Sequence, residues 1–491
     1  MMNVNGQTNV QAEGGALKRV LTRRDLVVYG IAFMTPIAPA YIYGYATDVT
    51  GGTLAMAYVI AMVAMLFTAL SYGKMANAFP VAGSTYAYTA KGINPYLGFF
   101  AGWAMFLDYV LVPLIVFMVG ASYAHSTMPE VPYTAWVLLI ALVTTVVNYF
   151  GVDIAARTNF ILVGIMSVIV LLFVGACVLA LDAGVGAGTL VSAAPFYQEA
   201  TFSASALVAG AAIACFSFLG FDSITTMAEE AVNPKRDIGM AAVAACLIGG
   251  IIFIAQAYVA QLVWPDYTTF ATEDTALFEV AQIAGGRGLA VLYTVAVIIS
   301  TMTAGLAGQS SAARLLYGMG RDGLLPARIF AHLHPTHRTP TYNILMMCVI
   351  GIVGAIFLDI PVVTELLNFG GLFGFMCVNL AVVSWYWRRQ KERHIVGTLL
   401  FPLIGFGVCA YLWAHLSDEC LLVGGAWFVV GLIYLLISTK GLKEKPLSCG
   451  KDNLAQGRTQ DTAKQDKKKA QKRMQTHALL CGEKRAMNIL K

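Results

Sequence analysis

Apolar residues in this chain come in long unbroken runs, not in the alternating or one-in-three patterns of half-buried elements. Twelve runs fall at 26–48, 53–73, 97–124, 132–150, 158–181, 203–229, 237–264, 288–317, 340–358, 361–387, 395–416 and 420–438. Each is near the ~20 residues that a helix needs to cross a bilayer core. The pattern predicts an all-α membrane protein with twelve transmembrane helices over 26–438. A polar segment, 1–25, precedes them, and a Lys/Gln/Gly-rich segment, 439–491, follows and reads as disordered.

Two of the runs are not plain helix. Span one contains Met34-Thr35-Pro36-Ile37-Ala38-Pro39, and two prolines three apart interrupt the helical ladder. Span six contains Phe216-Ser217-Phe218-Leu219-Gly220-Phe221-Asp222, a glycine between aromatics followed by an acid near mid-span. A simple proline kink is the alternative for span one. Spans one and six each open a block of five, and a five-plus-five inverted repeat places paired broken helices at these positions. The breaks therefore mark the candidate substrate site: Met34, Thr35, Pro36, Phe216, Ser217, Phe218, Gly220 and Asp222.

Composition agrees. The 491 residues are 58% hydrophobic and 12% charged, with mean hydropathy +0.70, against about a quarter charged in soluble domains. The nine cysteines are scattered singly, with no metal or redox spacing, and read as small apolar filler. The first 25 residues lack an apolar run, so span one is expected to act as its own insertion signal. The net charge of +5 does not suggest nucleic acid, because 14 of the 32 Lys and Arg lie in Lys440–Lys491. That tail reads as a solvated appendage; the alternative is a polybasic lipid contact through Lys467, Lys468, Lys469, Lys472 and Arg473.

Charge sets the orientation. With the N-terminus inside, Lys74, Lys91, Arg157, Lys235, Arg236, Arg321, Arg328, Arg338, Arg388, Arg389, Lys391 and Arg393 are all cytoplasmic. The external loops keep one base, Arg287, and most of the loop acids. The positive-inside rule then predicts a multi-pass protein with both termini cytoplasmic.

Acids inside spans usually mark transport pathways. Asp222 can give an ammonium a charge-assisted hydrogen bond; capping the second half of span six is its other reading. Asp108 lies near the middle of span three, and hydrogen bonding to neighbouring hydroxyls is its alternative. Tyr109 points about 100° around the helix from Asp108, so the pair is not expected to share one face. Phe216, Phe218 and Phe221 can attract an ammonium by cation–π contact, or simply pack. Glu365 reads as interfacial. Glu229 and Glu230 read as solvated helix-end acids, with pairing to Arg157 or Arg314 as the alternative. Ser300, Thr301 and Thr303 can ligate Na⁺ or bond their own helix.

Enzyme signatures such as HExxH and GxSxG are absent from the sequence, as is a P-loop. His332, His334 and His337 sit in a Pro-rich loop and read as structural. No cofactor and no metal are expected; coupling to H⁺ or Na⁺ stays open, as do oligomeric state and import against exchange.

Several stretches resemble the amino acid–polyamine–organocation permeases. They are Phe79-Pro80-Val81-Ala82-Gly83-Ser84-Thr85-Tyr86, Phe218-Leu219-Gly220-Phe221-Asp222, Glu229 to Pro234, and Ser311 to Tyr317 leading to Met319-Gly320-Arg321-Asp322-Gly323-Leu324-Leu325-Pro326. The resemblance runs from about Leu21 to Leu436, and within the family it is greatest to putrescine importers. It implies the five-plus-five fold with two further helices and uptake by alternating access. It also implies that Asp222 contacts a cationic substrate or lies beside it, and it favours Tyr109 as a substrate contact. Amino acid permeases of the family usually have a Gly-rich break in span one that holds the substrate carboxylate through backbone N–H groups. Thr-Pro-Ile-Ala-Pro lacks two of those donors. The combination favours a diamine such as putrescine; an amino acid substrate is the alternative.

Overall fold

The computed structural model describes residues 19–442 apart from 82–83, 129, 151, 200, 271–272, 274–275, 322, 324, 359 and 393. The segment expected to be disordered lies outside the described residues from 443 onward, as do the first 18 residues and Ala82, Gly83, Asp322 and Leu324 of the motifs.

Fifteen helices follow one another among the described residues, with no strand between them. They are α1 Arg23–Met34, α2 Tyr43–Val49, α3 Leu54–Ala78, α4 Ser84–Gly92, α5 Pro95–Thr127, α6 Tyr133–Phe150, α7 Val152–Asp182 and α8 Ala204–Cys215. Then come α9 Pro234–Val263, α10 Ala276–Arg321, α11 Ala327–Phe330, α12 Thr341–Phe357, α13 Ile360–Val382, α14 Phe401–Ala414 and α15 Asp418–Ser438. Ten helical stretches are long and apolar enough to cross a membrane, and the α1–α2 pair, bent by 53°, makes an eleventh if it is one span. The α12 helix is apolar but only 17 residues long. Large apolar side chains such as Leu171, Leu179, Leu422 and Ile437 point outward at 70% exposure or more. Such a surface suits lipid rather than water. The protein is a multi-pass, all-helical membrane protein.

Local sequence accounts for the ends and the breaks. Thr22 caps α1 reciprocally with Asp25, and Asn94 caps α5 just before Pro95. Ser417 caps α15. The α10 helix is broken at Gly286, with φ +71°, so the expected span 288–317 lies wholly in its longer second part. Pro113 sits inside α5 without ending it. The last helix is tied to α5 by two tryptophans. Trp103 and Trp427 stack 4.7 Å apart, and each ring N–H donates to the other's backbone carbonyl.

The α4 helix is an addition to the expected set. Every described side chain position from Ser84 to Ala90 is buried, and α4 packs under α13 and α5. Its sequence, Ser-Thr-Tyr-Ala-Tyr-Thr-Ala-Lys-Gly, is too polar to stand out as a span.

Candidate functional site

In α1 the ladder stops at Met34. Thr35 turns out of it with φ +53°, a conformation that costs a β-branched residue of order 1–3 kcal/mol. A 3₁₀ turn, Ala38–Tyr41, and α2 continue the chain at an angle. The freed carbonyl of Pro36 is met by Gln256 of α9, whose Nε2 donates to it at 2.7 Å. Pro36 and Pro39 have no N–H, and those of Thr35, Ala38 and Ala40 donate to Ile31, Thr35 and Ile37 within the segment.

The second break begins where α8 ends at Cys215. Phe216–Phe218 form one 3₁₀ turn, Leu219 is extended, and Gly220 takes φ +115°. The chain resumes as a 3₁₀ helix, Phe221–Met227, not the expected α-helical half-span. Its hydroxyls suit the tighter pitch: Ser223 Oγ, Thr225 Oγ1 and Thr226 Oγ1 donate to the carbonyls three residues back. A Cβ on Gly220 would run into the ring of Phe33, so this glycine lets the two breaks touch.

Asp222 is 1% exposed. Its Oδ2 accepts a 2.5 Å hydrogen bond from the Tyr109 hydroxyl of α5, and its Oδ1 has no partner. The residue lies in the first turn of its segment, where Gly220 holds the cap position and no side-chain cap bond forms. Asp108 is also buried, and its Oδ1 likewise lacks a partner. The paired glycines of α13 make room for it. A Cβ on Gly370 would lie 3.1 Å from Asp108 Cβ, and one on Gly371 would touch both Leu219 and Asp108 Oδ2, at 2.8 and 3.8 Å. Asp222 therefore stands just after the span-six break in its own segment, and Asp108 faces that break from α5 across the α13 glycines. Neither forms an ion pair among the described residues.

Beside the breaks lies a cavity of about 170 Å³. Met34, Thr35 and Phe216 line it, as do Phe33, Leu219, Tyr41, Thr364 and Leu367. From α5 come Val112, Ile115, Val116 and Val119, at the i, i+3, i+4, i+7 spacing of one helix face. Asp108 and Tyr109 are one turn before Val112 on that stripe, so they sit at one end of the cavity, not in its lining. Pro36 is turned toward Gln256. Ser217 bonds the Tyr58 hydroxyl at 3.0 Å, and Phe218 packs on Tyr58 and Phe253, all away from the cavity. The apolar α5 stripe escaped the sequence reading because apolar residues surround it; its phase relative to Asp108 was the available signal.

At the opposite end from Tyr41 and Thr364 the molecule is closed. Arg314 of α10 and Glu230 form a buried ion pair, and Arg314 also bonds Ser310. The reading of Glu230 as a solvated acid is therefore corrected: it is 2% exposed, and the neighbouring Arg314 neutralises it. Glu229 pairs with Arg321 at 2.7 Å nearer the surface, and Arg23 pairs with Asp237 at 2.7 Å. The backbone of Leu21 bridges to Ala231. The Arg157 side chain, the other suggested partner, lies outside the described residues.

The remaining candidates are accounted for locally. Ser300, Thr301 and Thr303 donate to carbonyls of their own helix, and Ser300 also meets the Tyr41 hydroxyl. Glu365 accepts from Ser417 at the start of α15. His332 stacks on Tyr342, while His334 and His337 pack on Tyr149. Among the described residues no group of three or more His, Cys, Asp or Glu gathers into a metal-binding set.

Comparison with known proteins places this geometry in context. Residues 25–433 match the amino acid permease family. The chain is 36% identical over 433 residues to the low-affinity putrescine importer PlaP of Escherichia coli, covering 87% of this chain and 95% of that protein. It is 26% identical over 458 residues to a methylthioribose transporter of Bacillus subtilis, at 88% and 96% coverage. It is 26% identical over 459 residues to the branched-chain amino acid permease BcaP of the same organism, at 87% and 95%.

Proposed function

This chain belongs to the amino acid permease family, and from that premise we propose that it imports a small organic cation, putrescine or a related amine. The transport is secondary and driven by H⁺ or Na⁺. The span-one pair and α12 complete a set of twelve spans, arranged as a five-plus-five inverted repeat with two further helices. Both termini lie in the cytoplasm of a bacterial cell, and the cavity end at Tyr41 and Thr364 faces out.

One observation carries this reading. Asp108 and Asp222 are buried at the end of the cavity, each with a carboxylate oxygen that has no hydrogen-bond partner. A buried acceptor without a partner costs about 1–3 kcal/mol, more when charged. An ammonium group supplies both the donors and the charge. Two such carboxylates suit the two ends of a diamine. The Thr-Pro break supports the same choice, since two of its positions have no N–H and those of Thr35, Ala38 and Ala40 are turned back into the segment.

In the proposed cycle the substrate enters past Tyr41 and Thr364, and its ammonium reaches Asp222 beside the Tyr109 hydroxyl. Phe33 and Leu219 close over it as the two breaks shift. The Arg314–Glu230, Arg321–Glu229 and Arg23–Asp237 pairs then part, and the inner end opens. An amino acid substrate is the second reading. It is favoured by the apolar lining from Val112 to Val119, which would accept an aliphatic side chain.

Uptake of labelled putrescine into proteoliposomes, with amino acids as competitors and with pH and Na⁺ varied, tests the proposal. We expect saturable putrescine uptake, driven by one ion gradient and resistant to neutral α-amino acids. Competition by an α-amino acid with no putrescine uptake overturns the amine reading. Full uptake with unchanged affinity in Asp222→Asn overturns the charge pairing.

A further inference from the structure

A second cavity, away from both breaks, has a composition unlike the first. It is a groove of about 990 Å³ between the end of α3 and the start of α9. The groove exists because the two helices cross at glycines. A Cβ on Gly239 would lie 2.6 Å from the Cα of Gly73, so the backbones touch there. That crossing gathers Lys74, Lys235 and Arg236 on one rim. Lys235 and Arg236 are exposed and Lys74 half-buried, with its ammonium 5.4 Å above the Tyr386 ring. Among the described residues none of the three forms an ion pair. Among the described residues that line the groove Glu392 is the one carboxylate, and Asp237, next in sequence to Arg236, is already held by Arg23. Three cations against one available acid repel one another, and the N-terminus of α9 adds its own positive end. From this rim the groove runs along an apolar wall, with Leu70, Met240 and Leu247 exposed.

We propose that this groove binds one anionic phospholipid, with its phosphodiester on Lys74, Lys235 and Arg236 and its acyl chains along Leu70, Met240 and Leu247. A basic rim continuous with an exposed apolar wall, at the end of two membrane-crossing helices, matches a lipid's two-part chemistry. A soluble phosphate would use the rim and leave the wall bare. The site stands apart from the substrate cavity and does not depend on which substrate is carried.

The test uses the purified full-length protein in a neutral detergent, titrated with phosphatidylglycerol, phosphatidylcholine or glycerol 3-phosphate. Binding is read by native mass spectrometry and by the shift in thermal unfolding. Phosphatidylglycerol should bind saturably and raise the unfolding temperature, and the other two should do neither. Each basic side chain contributes about fivefold near an anionic headgroup, so Lys74→Gln/Lys235→Gln/Arg236→Gln should weaken binding on the order of 100-fold. Lys235→Gln/Arg236→Gln, confined to exposed positions, should retain the fold and lose roughly 30-fold. Met240→Gln/Leu247→Gln should weaken binding of the lipid as well. The control Arg328→Gln/Arg338→Gln, exposed bases elsewhere on the protein, should bind as the parent does. Unchanged phosphatidylglycerol affinity in the double rim variant overturns the proposal, and so does an equal loss in the control. Equal binding of glycerol 3-phosphate makes the rim a small-anion site and overturns the lipid assignment.

Discussion

The Tyr109 hydroxyl and Asp222 carboxylate meet at 2.5 Å in a site with almost no solvent. A hydrogen bond to a charged group contributes about 1.5–3 kcal/mol. If that bond orients Asp222 toward an incoming ammonium, Tyr109→Phe should lower kcat/KM for amine uptake by about 10- to 100-fold. Asp222→Asn should lower it further. The double variant should then be little worse than Asp222→Asn alone, because the two residues act through one bond. Initial-rate uptake across substrate concentrations reads all three. Asp222 and Asp108 were legible in the sequence because a carboxylate within an apolar run stands out. The bond between Tyr109 and Asp222 was not, because it joins residues 113 positions apart. The 100° offset of Asp108 and Tyr109 suggests separate faces, yet both lie within one turn of Val112 at the same end of the cavity; the sequence does not show that the second break meets α5 there, with Asp222 on Tyr109.

At the scale of elements, the breaks follow from residue chemistry, but their shapes depend on partners. Two prolines end α1 wherever the chain goes next; Gln256 of α9 is what satisfies the freed Pro36 carbonyl. Gln256→Leu leaves that carbonyl buried and unpaired, which costs about 1–3 kcal/mol. The expected result is a lower unfolding temperature and slower uptake, with Gln256→Asn tested for partial rescue. Gly220 is more demanding. Its φ of +115° and its contact with Phe33 both exclude a side chain. Gly220→Ala should therefore reduce uptake strongly, and a smaller side chain at Phe33, as in Phe33→Leu, should recover part of the loss by making space. Most boundaries of the long apolar helices were legible to within a few residues, but α7 starts at Val152 and α10 at Ala276, six and twelve residues before the expected positions. The α4 helix was not, because its burial comes from α5 and α13 around it and not from its own hydrophobicity.

For the whole molecule, the decisive feature is asymmetry between its two ends. One end has the cavity reaching Tyr41 and Thr364. The other is held by two ion pairs from α10 to Glu230 and Glu229, a third from Arg23 of α1 to Asp237 of α9, and the Leu21–Ala231 bridge, which ties the segment before α1 to the segment after the second break. The sequence offered Arg314 as a partner for Glu230 only as an alternative, and it did not show the Arg321–Glu229 or Arg23–Asp237 pairs. The pairs differ in weight. Arg23 is 38% exposed, and such pairs contribute about 1 kcal/mol or less. Arg314 and Glu230 are buried together, and removing one partner strands the other charge at about 3–5 kcal/mol. If they hold this end shut, Arg23→Gln should raise the population open there by about fivefold or less. Arg314→Met should open it far more, and Arg314→Met with Glu230→Gln should close it again in part, because no charge is left unpaired. A cysteine placed at Thr226, which is buried and lies in sequence between the break and Glu229, reports the opening by its maleimide labelling rate in a variant whose nine native cysteines are replaced. Labelling unchanged in Arg314→Met would mean that the ion pair holds the fold without holding the gate.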